Sequence, residues 1–132
     1  AGLAAIVGRD PRETGERAHL NYGHTIGHGV EVAAGLSHGE AVAVGMVAAG
    51  RAGALLAGFA EEERQTGVIR RLGLPTEVAG LDRARVLDLV ARDKKRGGEG
   101  LRMVVLEAIG RPRLMAAGAA TVEAALAAVT TR

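Results

Sequence analysis

Nothing restricts the fold of this chain more than the run from His38 to about Leu56. Ala41, Val42, Val44, Gly45, Met46, Ala49, Gly53 and Leu56 leave a helix here with almost no polar face. Such a helix cannot lie on a surface, so other elements must cover it. Side-chain volume limits what can do so. The chain is 48% hydrophobic, yet it has one Tyr, one Phe and no Trp. Its core must be built from Ala, Val, Leu, Ile and Met. Alanine-rich sequence favours helix, and small residues let helices approach closely. The 20 glycines then divide between turns or helix ends and points of helix contact.

The expected fold is mainly α, a multi-helix domain with one short β-hairpin. At 132 residues the whole chain, 1–132, is a single domain with its own core. Asp10-Pro11 starts a long helix from about Arg12 to Ala34, with Glu13 and Glu16 near its positive end. Gly35 closes it. Ser37 then caps the central helix, with Glu40 at capping-box distance. A third helix is predicted over Ala60–Leu72 and a fourth over Asp82–Asp93, separated by the break Gly73-Leu74-Pro75-Thr76. Arg96–Gly100 reads as a flexible loop. Leu101–Leu106 and Pro112–Met115 flank Ile109-Gly110-Arg111 as the hairpin. Thr121–Val129 forms a closing helix.

Several function classes are excluded. Seventeen basic and 15 acidic residues give a net charge of +2, and outside Asp93-Lys94-Lys95-Arg96 the basic residues are scattered and not interleaved with aromatics. Nucleic acid is therefore not an expected partner. There is no cysteine, hence no disulfide, zinc-thiolate site or thiol nucleophile, which fits a cytoplasmic protein. No apolar run reaches the roughly 18 residues of a membrane span, and no signal-peptide pattern opens the chain. The apolar Ala1–Val7, without an initiator Met, reads as a segment from inside a longer protein.

The chemistry is concentrated between Arg17 and Glu40, which holds all four histidines. Arg17, Asn21, His24 and His28 follow i, i+4, i+7, i+11, one stripe of a continuous helix. His38 opens the next helix, and the short turn can fold it back toward His24. Imidazoles suit divalent zinc or cobalt. One that is not a ligand can move protons near neutral pH. Arginine clamps carboxylate or phosphate in a fork, and asparagine can donate to the same anion. Gly23 and Gly27, beside the stripe, admit another backbone or a ligand. His19 lies off the stripe and reads as structural. Glu31 continues the stripe and is assigned to solvent or capping. Glu40 is either the capping-box residue or a partner that orients His38, and spacing does not choose between them. A polar stripe in so apolar a chain costs core area unless it is used.

These residues resemble 3-dehydroquinate synthase. The matching run is Arg17-x-x-Leu20-Asn21-x-Gly23-His24-Thr25-x-Gly27-His28-x-x-Glu31, followed by His38-Gly39-Glu40-Ala41-Val42-Ala43-x-Gly45-Met46. Asp93-Lys94-Lys95, Arg102–Leu106 and Ile109-Gly110 fit as well, so the resemblance covers nearly the whole chain. It implies a dehydroquinate synthase-like C-terminal domain. The complete enzyme would turn a phosphorylated seven-carbon keto acid, 3-deoxy-D-arabino-heptulosonate 7-phosphate, into 3-dehydroquinate and phosphate in the shikimate pathway. It would use NAD and one divalent metal, zinc or cobalt.

The resemblance makes His24 and His38 metal ligands and His28 the catalytic histidine near the substrate phosphate. Arg17 and Asn21 would bind the substrate's anionic groups, and Lys94 or Lys95 would contact substrate. It also implies an N-terminal NAD-binding α/β domain outside these residues, a third metal ligand upstream, and a homodimer. The isolated chain would then be inactive. One position departs from the pattern: where the family carries a lysine fourteen residues before the arginine, this chain has Leu3. That leaves two other readings: a related cyclase making 2-deoxy-scyllo-inosose or an epi-valiolone, and a stand-alone helical binding module that retains the motif.

Overall fold

A computed structural model describes residues 22–97 and 102–131, with the backbone alone for 92–97. Among the described residues there are five helices and two small two-stranded sheets. In order they are α1 (His24–Ala34), α2 (His38–Ala57), α3 (Glu62–Arg71), β1 (Val78–Ala79), α4 (Arg83–Gly97), β2 (Arg102–Ala108), β3 (Arg111–Ala116), α5 (Ala119–Ala128) and β4 (Thr130–Thr131). The mainly α architecture with a hairpin is as expected.

The small, apolar α2 is the central element. It packs against α1, α3, α5 and β2. Ala41, Val44, Ala48, Ala49 and Ala52 are wholly buried along it. Its length and hydropathy would suffice to cross a membrane, which the sequence expectation did not register. In this fold, protein elements cover it instead. Its first turn is fixed by the expected capping box. The Glu40 amide donates to Ser37 Oγ at 3.2 Å, and the Ser37 amide donates to Glu40 Oε1 at 3.2 Å.

Two glycines of α2 set how closely its neighbours lie. A Cβ on Gly45 would collide with the Gly23 carbonyl and come within 2.8 Å of Gly27 Cα. A Cβ on Gly53 would stand 2.7 Å from the Leu106 carbonyl. One side of α2 therefore receives the start of α1 in backbone contact, and another receives β2. In turn, α1 packs on α4, where Gly29 faces Val86.

The helix expected from Arg12 to Ala34 is corrected at its start. Gly23 has φ +82°, in the left-handed region, and α1 begins at His24. A right-handed helix cannot run through that conformation, so the register linking Arg17 and Asn21 to His24 is interrupted. Arg17, Asn21, His19 and Leu3 lie outside the described residues. A second correction concerns α4, whose backbone stays helical to Gly97, past Arg96 where a loop was expected.

The hairpin pairs β2 with β3 antiparallel, Arg102 opposite Ala116 and Val104 opposite Leu114, with an irregularity between Leu106 and Ala108. Met103 and Val105 point into the core. A two-residue parallel pairing of β1 with β4 was not foreseen. The amide of Val78 donates to the Val129 carbonyl at 2.7 Å, as does that of Gly80 to Thr131. Strands this short carry no periodicity in sequence.

Candidate active site

Where α1 begins depends on Tyr22. Its ring is buried, and its hydroxyl donates to Gln65 Oε1 at 2.9 Å and lies 3.3 Å from the Met46 carbonyl. Gln65 Nε2 donates to the same carbonyl at 2.9 Å. This buried network ties the residue two before His24 to both α2 and α3. Burial raises the Tyr22 pKa, the hydrogen bond it makes to Gln65 opposes that rise, and nearby Glu62 adds to it. The hydroxyl therefore stays protonated and able to donate. With Tyr22 anchored and Gly23 turned, His24 enters the first turn of α1 in a fixed place.

The structure brings His24 and His38 together. Their ring centroids are 5.8 Å apart, inclined at 49°. His38 Nδ1 lies 2.9 Å from Glu31 Oε1. An ionised carboxylate only accepts, so Nδ1 carries the proton and Nε2 keeps its lone pair. Glu31 thus selects the tautomer of His38. Glu40, by contrast, is committed to the cap, with Ser37 Oγ donating to its Oε1 at 2.9 Å. The positioning partner of His38 is therefore Glu31, whose assignment to solvent or capping is corrected. Its signal in the sequence was its place seven residues after His24, on the same stripe.

His24 has a different environment. Its Nδ1 is buried and has no hydrogen-bond partner among the described residues. Leaving such an atom unsatisfied costs about 1–3 kcal/mol. A divalent ion, or a donor from outside these residues, would satisfy the ring. His28 follows one turn later on the same stripe and is exposed.

The backbone of Lys94 and Lys95 lies in the last part of α4, and their side chains fall outside the described residues. His24 also lines a cavity of about 310 Å³, with Thr25 on α1 and Arg102, Met103, Val104 and Leu114 on the hairpin. Arg102 was not singled out from sequence as a site residue, because nothing local links strand β2 to the histidines.

Two adjacent imidazoles, one with its tautomer set by a carboxylate and one with an unpartnered buried nitrogen, fit a zinc or cobalt site. They do not complete it. No group of three His, Asp or Glu side chains able to hold an ion occurs among the described residues, whereas catalytic zinc sites usually take three protein ligands.

Comparison with known proteins shows the family of the chain. The family model for the 3-dehydroquinate synthase C-terminal domain matches residues 3–96. The chain belongs to that family. It is 46% identical over 113 residues to the 3-dehydroquinate synthase of Nostoc punctiforme, covering 81% of this chain and 31% of that protein. The enzyme of Bordetella pertussis is 42% identical over 132 residues, covering 96% of this chain and 37% of its own length. That of a Bradyrhizobium strain is 47% identical over 124 residues, covering 82% and 32%. The chain thus spans about a third of the length of the curated relatives it matches.

Proposed function

We propose that this chain is the metal- and substrate-binding C-terminal domain of a 3-dehydroquinate synthase, a carbon–oxygen lyase that converts 3-deoxy-D-arabino-heptulosonate 7-phosphate to 3-dehydroquinate and phosphate. The observation that carries this reading is the His24–His38 pair in a family member, His24 from the Gly-His-Thr-x-Gly-His run and His38 from the start of the next helix, with His24 Nδ1 buried and lacking a partner among the described residues. His24 and His38 hold a divalent metal, with a third ligand from outside the described residues. A bound metal would supply Lewis-acid polarisation of substrate oxygens, and NAD, held by an α/β domain outside these residues, would supply hydride transfer.

Glu31 holds the proton on His38 Nδ1 and so keeps Nε2 available as a donor atom. His28, exposed one turn after His24, is placed to take up or release a proton near the substrate phosphate. Arg17 and Asn21 bind the substrate's anionic groups, joined by Lys94 or Lys95 from the end of α4. The relatives are named 3-dehydroquinate synthase, and by that resemblance the reading takes in a cytoplasmic enzyme acting as a homodimer.

Phosphate release from the seven-carbon substrate, with NAD and zinc, tests the reading. The complete two-domain protein should turn over, and the 132-residue chain alone should not. An inert complete protein would count against the synthase assignment, and turnover by the isolated chain would remove the need for a second domain. Leu3, at a position where the family carries lysine, supports a second reading as a related sugar-phosphate cyclase. A panel of sugar-phosphate substrates on the complete enzyme separates the two.

A further inference from the structure

The hairpin supplies one wall of the cavity beside His24, and among the described residues Arg102 is the one charged side chain on that wall. Along β2, Met103 and Val105 turn into the core, while Arg102 and Val104 share the other face. Val104 pairs with Leu114 of β3, and both line the cavity with Arg102. Ala116, opposite Arg102, is too small to screen it. Arg102 is exposed, and no acidic residue among the described residues lines the cavity. Elsewhere on the hairpin, Arg113 has a carboxylate near it, Glu107 at 3.6 Å. Arg102 has no ion-pair partner among the described residues.

The placement is not left to a mobile loop. The backbone contact of α2 with α1 at Gly45 fixes His24, and its contact with β2 at Gly53 fixes the hairpin. The same helix therefore sets the distance between imidazole and guanidinium. A guanidinium with no ion-pair partner among the described residues, lining with His24 a cavity of about 310 Å³, offers two parallel donors to an oxyanion.

We infer that Arg102 binds an oxyanion of the substrate, its phosphate or its carboxylate, on the hairpin side of the metal histidines. This rests on the functional reading above. It adds an anion contact from a part of the chain far from the Arg17–Glu40 motif. The role is substrate binding, so its loss should appear in affinity more than in turnover of bound substrate.

Calorimetric titration of the seven-carbon substrate into the zinc-loaded, NAD-free complete enzyme provides a test that needs no catalysis. Arg102→Gln should weaken binding about ten- to hundred-fold, the loss expected for a hydrogen-bonded charge contact. Arg102→Lys should recover part of it, since charge is kept and the planar fork is lost. Zinc content and melting temperature should match wild type, because the side chain is exposed. With NAD present, KM should rise by a similar factor while kcat changes less than about threefold.

Inorganic phosphate as a second titrant assigns the anion. Weakened phosphate binding in Arg102→Gln places the phosphate group there, and unchanged phosphate binding with weakened substrate binding places the carboxylate. Substrate and phosphate affinities both within twofold of wild type overturn the assignment. Wild-type enzyme that binds no seven-carbon substrate refutes the functional reading instead, and the phosphate titration then decides Arg102 by itself.

Discussion

Two hollows, one against α2 and one between α1 and the hairpin, differ in a way that size does not show. The larger, about 540 Å³, lies between α2, α3 and the segment before β1, lined by Arg51, Glu62, Glu63, Thr66, Arg70 and Glu77 among others. The smaller, about 310 Å³, lies beside His24. By volume and number of charges the first is the better pocket. Yet its charges answer one another, as in the Arg51–Glu62 pair at 3.0 Å. The second is lined by His24, whose buried Nδ1 has no partner among the described residues, and by Arg102, which has no counter-ion among them. Unsatisfied chemistry marks a place built for a ligand better than charge density does, because a satisfied charge has little left to offer one.

The comparison can be broken most directly at His24. His24→Ala should abolish zinc binding in the complete enzyme, lowering affinity more than a hundredfold and phosphate release with it. Metal titration against the wild type is the check. Retained micromolar zinc binding would remove the site from this hollow altogether.

The next largest effect falls on the scaffold. Gly45→Val should destabilise the chain by about 3 kcal/mol or more, since the new side chain must displace the backbone of α1. Denaturant unfolding would report it. A stable variant would mean that the α1–α2 contact does not hold His24 in place.

Glu31→Gln sharpens the role of the carboxylate. Gln keeps the size and loses the charge, so zinc affinity should fall about 10–100-fold with little change in folding. Unchanged affinity would leave the contact of Glu31 with His38 a surface pair. The smallest effect is expected in the larger hollow. Arg51→Ala breaks a half-exposed ion pair and should cost about 1 kcal/mol or less in stability, with turnover unaltered. A drop in kcat/KM there would reverse the comparison.

Much of this was legible in the sequence because it is local. The Ser37–Glu40 cap needs only residues three apart, and it is present as read. The burial of α2 followed from its lack of a polar face, and the hairpin from its strand–turn–strand pattern. Other features were hidden because spacing assumes regular backbone. The stripe from Arg17 to His28 took a continuous helix for granted, and Gly23 interrupts it with a left-handed turn. Helical spacing offered Gly23 only as a small residue for close contact, a role it also has against α2.

Family motif and helical period thus determined, from sequence alone, a mainly α domain of the 3-dehydroquinate synthase family and pointed to His24, His28 and His38 as its candidate site. Only the tertiary structure decided the partners of those residues. Glu31 rather than Glu40 reaches His38, and Arg102 shares a cavity with His24 across more than 70 positions of chain. Both follow from α2. Its glycines let α1 and β2 come into backbone contact, and contacts between distant segments leave no period in the sequence to read.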